Sequence, residues 1–310
     1  MIEVVCLGQY TADVVVDPVT SLPDKGKAVF VESISLHNGG SACNAAVALG
    51  KLGIKTAVIG KVGCDTFGDF LIDAMKQAGL NTSAMIRDTD VRTSSTTVLV
   101  SPDGERSFLH YFGGNARIRM EEIDFEMIAR ARILHVAAAF LIPGLDGQPL
   151  AEVLARAQAM GVTTCLDTAW DAQGNWMKVL QPSLPHLDFF VPSLEEAQML
   201  TGKDTPIEMA QALRKHGSKT VVIKLGADGC LLHTPDVATT IPSFSVDRVI
   251  DTLGAGDCFV AGFLAGLVHN WDLTKACTLG NAVGAACVSS RGTSGIQPMQ
   301  QIVNQYLLNR

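Results

Sequence analysis

Short runs that are apolar at consecutive positions constrain this chain more than any other feature. They fall at residues 2–7, 56–60, 133–137, 162–166, 187–191 and 220–225. A strand with one wet face alternates apolar and polar residues. A strand apolar on both sides needs cover on both, which is the pattern of a parallel sheet packed between helices. Helix-like stretches lie between these runs, at residues 41–52, 66–78, 148–160, 194–200, 206–216, 257–268, 274–289 and 298–308. Asp65 is placed to cap the second of them. Two regions depart from the pattern. Residues 12–16 and 28–36 alternate around a Pro23/Asp24/Gly26 turn, and residues 95–100 and 106–112 flank Pro102-Asp103-Gly104. Both read as strand pairs outside the main sheet. The expected architecture is one α/β domain over residues 1–310, with residues of about 10–36 and 93–112 forming a separate small sheet. No linker or internal repeat interrupts it.

Composition narrows the function classes. Apolar residues make up 47% of 310 and charged residues 18%, enough for a large core. The net charge of −7, from 24 basic and 31 acidic residues, disfavours a nucleic-acid partner, which needs a basic face. The apolar run at 258–268 is far short of the roughly 20 residues that span a bilayer. Glu3 stands where a signal peptide would carry positive charge, so a cytoplasmic location is expected. The eight cysteines form no C-x-x-C pair and no zinc spacing with histidine, and are read as reduced thiols in apolar surroundings.

Chemistry concentrates in two glycine-containing segments. Asp251-Thr252-Leu253-Gly254-Ala255-Gly256-Asp257 opens a helix that is apolar nearly all round. Gly254 and Gly256 let the backbone approach a ligand closely, and the helix N-terminus offers unpaired N–H groups suited to a phosphate. Asp257, at the same place, is either a helix cap or a base beside an anion hole. No Gly-Lys-Ser/Thr follows, so this is not a Walker A loop, and Phe259 stands where a dinucleotide fingerprint needs its third glycine. The second segment, Gly39-Gly40-Ser41-Ala42-Cys43-Asn44, also leads into a helix. Its glycines serve either tight packing or backbone contact with a small polar ligand, with the Asn44 amide fixing hydroxyls. Asp13, just after the first strand, carries a carboxylate able to accept from two neighbouring sugar hydroxyls.

These segments together resemble the ribokinase-like (PfkB) carbohydrate kinase family. Residues 39–53 are similar to its N-terminal signature and residues 251–264 to its C-terminal signature, in the right order and about 210 residues apart. The resemblance implies a three-layer α/β/α body with a mostly parallel central sheet and a small β-sheet lid. It implies transfer of the γ-phosphoryl of ATP, with Mg²⁺, to a sugar hydroxyl. Asp257 then stands for the base, and the amides of Gly254, Ala255 and Gly256 for the anion hole. Asp13, Gly39, Gly40 and Asn44 stand for sugar contacts, and Lys224, Gly226, Gly229 and Asn281 for the ATP side. Glu196 would hold Mg²⁺ through water, in Ser193-Leu194-Glu195-Glu196 where the family has Asn-x-x-Glu. Asp251 opens the family's monovalent-cation loop, so stimulation by K⁺ is expected, with a shorter segment after Gly292 than in ribokinase.

The substrate expectation is a free sugar. A phosphorylated substrate calls for clustered arginines, and Arg92, Arg106 and Arg117 flank the second hairpin. Yet Asp171 stands where some members have arginine, and residues 113–116 (GGNA) resemble the segment of neutral-sugar kinases. A nucleoside kinase, a sugar-phosphate kinase and a catalytically silent sugar-binding protein are the alternatives. A small sheet with one apolar face and open edges also suggests a homodimer through the lid.

Overall fold

The computed structural model describes residues 2–290 and 292–308; Met1, Arg291, Asn309 and Arg310, which the expected unit of 1–310 includes, lie outside the described residues. The strands are β1 (Val4–Gly8), β2 (Thr11–Asp17), β3 (Ser33–Gly39), β4 (Thr56–Gly63), β5 (Asn81–Asp88), β6 (Ser95–Val100), β7 (Arg106–Tyr111), β8 (Ile133–Ala139), β9 (Thr163–Thr168), β10 (Phe189–Phe190), β11 (Thr220–Lys224), β12 (Cys230–His233) and β13 (Ala238–Ile241). The helices are α1 (Ser41–Lys51), α2 (Thr66–Gln77), α3 (Phe125–Ala129), α4 (Gln148–Ala159), α5 (Met177–Leu180), α6 (Leu194–Thr201), α7 (Pro206–Lys215), α8 (Ala255–Val268), α9 (Leu273–Val288) and α10 (Met299–Ile302).

Nine strands form one sheet in the order β13-β12-β11-β10-β9-β8-β1-β4-β5. Every pairing from β11 to β5 is parallel, and β12 and β13 close the other edge antiparallel. The two-sided apolar pattern is met residue by residue. In β1, Val4 and Cys6 enter the core formed with α1, α2, α8 and α9, while Val5 and Leu7 enter the opposite core with α4, α6 and α7. In β11, Val222 joins the first core, and Val221 and Ile223 the second. Two helical layers therefore enclose the sheet. Strand order reverses at the β1/β8 pair, and in such sheets ligands bind beyond the carboxyl ends of the strands near that point.

The small sheet has the order β3-β2-β6-β7, joining the two expected strand pairs through a parallel β2/β6 contact. Its first pair differs from expectation. The returning strand spans Ser33–Gly39, not residues 28–36, and pairs with β2 from Asp17↔Ser33 to Thr11↔Gly39. Pro18, lacking an N–H, follows the end of β2 at Asp17, so residues 28–32 have no strand to pair with. The slip carries Gly39 to the end of β3, against the start of β2. Strands β5 and β13 at the two edges, and β12 inside β13, also appear beyond the expected set, and the C-terminal helix divides into α10 and a π-helical turn at Val303–Leu307.

Candidate active site

The loop before α8 turns on Gly254, which adopts φ 77°, ψ 1° as the N-cap, so α8 begins at Ala255, two residues before the expected start. Left-handed backbone at this point favours glycine. Asp257 thereby falls in the first turn and makes no capping bond. It points to α1 instead: Asn44 Nδ2 donates to Asp257 Oδ2 at 2.9 Å, across 213 residues of sequence. The two glycine segments thus meet through the two side chains singled out in each. Burial pushes the Asp257 carboxyl up to about 6, against the pull of Asn44, Lys224 and Ser41. The first-turn amides of a helix lack intrahelical acceptors. Ala255 N donates to Thr252 O at 3.2 Å, which closes the loop below the helix start.

Lys224, at the end of β11, reaches the same place. Its Nζ donates to both carboxylate oxygens of Asp167, at the end of β9, at 2.7 Å each. A Cβ on Gly256 would lie 3.3 Å from that Nζ, so the missing side chain lets the ammonium sit against the first turn of α8. Burial works against the Lys224 charge, but Asp167, Glu196 and Asp257 outweigh it and hold the amine protonated above its usual range. Burial lifts the Asp167 carboxyl to about 7 despite the lysine. Glu196 completes the group. It belongs to a capping box at α6, with Ser193 N donating to its Oε2 at 2.8 Å and Ser193 Oγ accepting from Glu196 N at 3.2 Å. Thr168 Oγ1 donates to the same Oε2 at 2.9 Å. Among the described residues its Oε1 takes no hydrogen bond.

These groups line a cavity of about 460 Å³ with Ser41, Thr168, Ser193, Gly226, Leu253 and Gly254. Gly229 and Asn281 are not in its wall. Gly229 turns beside Ile241 and Pro242, and Asn281 Nδ2 donates to Ile241 O at 3.0 Å and Pro242 O at 3.2 Å, tying α9 to β13.

The expected sugar contacts sit where β2, β3 and α1 converge. Gly39 has no room for a Cβ, because the Asp13 carboxylate occupies that position. Gly40, at φ 90°, packs on the backbone of Gln9 and Thr11. Among the described residues Asp13 Oδ1 is buried with no hydrogen-bond partner, and burial pushes this carboxyl up to about 6 against a hydrogen bond from Thr96. A buried acceptor without a donor is costly, so the position suits a ligand hydroxyl. In the 113–116 segment, Asn115 Oδ1 accepts from Tyr10 N and its Nδ2 donates to Tyr10 O, which pins the β1–β2 turn. Asp171 caps its own loop, accepting from Gln173 N and Trp176 N.

The arginines are dispersed. Arg92 and Arg117 line a second cavity, with Cys64, Asp90 and His110, that shares no residue with the first. Arg106 instead reaches from β7 to Asp251, Nη1 to Oδ1 at 2.7 Å. Sequence reasoning named Asp251 but not this partner, nor the Lys224–Asp167 pair.

Residues 1–300 match the pfkB family carbohydrate kinase description, nearly the whole chain. The chain belongs to the pfkB family of carbohydrate kinases. Among curated relatives it is 30% identical to a probable chloroplastic fructokinase-6 of Arabidopsis thaliana, over 98% of this chain and 82% of that one. It is 32% identical to fructokinase-2 of Zea mays, over 82% of this chain and 80% of that one. Among solved structures, a ribokinase from Thermotoga maritima superposes with a TM-score of 0.86 at 25% identity, covering 99% of both chains. The three-layer body and the small sheet are thus those of a pfkB-family sugar kinase. Among the described residues no helix is long and apolar enough to cross a membrane.

Proposed function

We propose that this pfkB-family kinase transfers the γ-phosphoryl of ATP to a hydroxyl of a free sugar, in the manner of a fructokinase or ribokinase, with Asp257 as the base. The observation that carries the reading is the Asn44–Asp257 hydrogen bond at the rim of a cavity floored by the α8 N-terminus. A sugar hydroxyl is a poor nucleophile until a base within hydrogen-bond reach accepts its proton. As the oxygen bonds to phosphorus and the bond to the β-phosphate oxygen breaks, the proton passes to Asp257 and ADP leaves. The amides of Gly254, Ala255 and Gly256, with the helix dipole behind them, receive the phosphoryl oxygens, that of Ala255 in exchange for its 3.2 Å bond to Thr252 O. Lys224, clamped by Asp167, adds a fixed positive charge at the same point. ATP lies along the Lys224–Gly226 side, and Gly229 and Asn281, outside the cavity wall, hold the Ile241–Pro242 backbone that extends this side. Bound Mg²⁺ supplies charge compensation on the phosphates, and Glu196 would hold it through water with Oε1.

Several features favour a neutral sugar. Asp13 offers an unpartnered buried oxygen to hydroxyls. The candidate arginines for an anionic substrate are elsewhere, two in the second cavity and one on Asp251. The small sheet leaves Ile34, Phe108, Leu109 and Tyr111 exposed, and the segment before it leaves Phe30 exposed, which suits a second copy of the chain as cover. An ADP-release screen over free sugars, sugar phosphates and nucleosides tests the substrate class. The expected outcome is a kcat/KM at least about tenfold higher on a free sugar. The same margin for a sugar phosphate or a nucleoside reverses the assignment.

A further inference from the structure

The loop that holds the phosphoryl site is anchored by Asp251, whose side chain is only 7% exposed. A buried carboxylate this close to amides that receive a phosphate needs a counter-charge, or it repels the ligand the loop is built for. Its acceptor positions are occupied by the protein itself. Oδ1 takes Arg106 Nη1 at 2.7 Å and Leu253 N at 2.8 Å, and Oδ2 takes Gly292 N at 3.4 Å. The facing segment is engaged from the other side, where Lys51 Nζ, at the end of α1, donates to Thr293 O at 2.8 Å. The Cys287 thiol points at the carbonyls of Gly292, at 3.4 Å, and Leu253, at 3.8 Å. A monovalent cation bound here would need the Asp251 carboxylate and these carbonyls as ligands. Arg106 already holds the carboxylate, Lys51 the Thr293 carbonyl, and the single thiol proton of Cys287 serves one of the other two carbonyls, so the residues present do not fit the expected potassium site.

We infer that the Arg106 guanidinium and the Lys51 ammonium stand in for a monovalent cation at the 251–257 loop, so that this kinase works without potassium. Arg106 is a positioning residue: its guanidinium is engaged by Asp251, and through that carboxylate fixes the turn at Leu253 that sets the Gly254–Gly256 amides. It lies on β7, so the charge reaches the loop from the small sheet. Lys51 comes from the body, on the helix that carries Asn44. The inference rests on the sugar-kinase reading for its activity arm alone.

The test compares potassium chloride with tetramethylammonium chloride at equal ionic strength, in thermal unfolding and in turnover. The wild-type protein is expected to unfold at the same temperature in both salts and to turn over at equal rates. Arg106→Gln should lower kcat by about tenfold or more, the scale of one charge-assisted hydrogen bond, while Arg106→Lys should recover at least about a third of the wild-type rate. Thermal stabilisation of the wild type by potassium overturns the inference, as does a potassium stimulation beyond about threefold. Arg106→Gln as fast as wild type, or Arg106→Lys as slow as Arg106→Gln, overturns it equally. A protein inactive on every sugar defeats the kinase reading instead, and the unfolding comparison still decides the cation question.

Discussion

The carboxylates at the two ends of the site keep different company. At the strand ends of the large sheet, Asp257 is held by Asn44, Asp167 by Lys224, and Glu196 by Ser193 and Thr168. In the small sheet, Asp13 keeps a buried oxygen with no donor, and apolar side chains stand in solvent. The first region is assembled before any ligand arrives, as electrostatic catalysis requires, because donors already in place need no reorganisation during the reaction. The second region is incomplete on its own, and its unsatisfied groups describe what should come to it. On the proposed function, the phosphoryl end is thus preassembled, while the sugar end keeps a place for its ligand.

The sharpest way to break this contrast is Asp257→Asn, which keeps the shape and the contact with Asn44 but removes the base. Loss of general-base catalysis should lower kcat by about 10²–10⁴-fold while thermal unfolding stays close to wild type. If the preassembled end depends on its internal pairs, Lys224→Met should lower stability by about 1–3 kcal/mol, since the buried Asp167 loses both hydrogen bonds and must take up a proton; denaturant unfolding measures it. Asp13→Asn should do the reverse. Its carboxylate is buried without full partnership, so the thermal midpoint should hold or rise. Meanwhile kcat/KM for the sugar should fall about 10–100-fold, through the loss of a hydrogen bond to a charged acceptor. A large loss of stability in Asp13→Asn would show that the small-sheet end is as self-contained as the other.

The same contrast explains what the sequence made legible. Val4 to Leu7 and Val221 to Ile223 are apolar on both faces, so the central strands and the layers around them could be read from pattern alone. β5 could not: apart from buried Met85 its residues are exposed or half-buried and end in Arg87-Asp88, because it lies on an edge with β4 as its one neighbour. The limits of β3 were misread because strand ends depend on the partner, here a β2 that stops before Pro18. In the site, Asp257 and Asn44 sit in segments with their own local signal, glycines ahead of a buried helix. Lys224–Asp167 and Arg106–Asp251 join residues 57 and 145 positions apart with no such signal, and only the topology brings them together. Asn281 illustrates the converse. The resemblance places it on the ATP side, and the partners its amide finds, the carbonyls of Ile241 and Pro242, are ones that no local pattern reveals.

The pH dependence of kcat/KM tests the central claim most directly, because it reports the base in the free enzyme. Asp257 must be ionised to accept a proton, and burial places its carboxyl at about 6. The rate should therefore fall tenfold per pH unit below about 6, as the carboxylate is lost. Asp13 is raised to a similar value, so position alone does not name the group. Asn44 does, since its amide donates to Asp257 Oδ2 and favours the charged form. Replacing Asn44 with Leu should move the acid limb to higher pH, whatever it does to the absolute rate. An acid limb that stays at the wild-type position in Asn44→Leu would contradict Asp257 as the base.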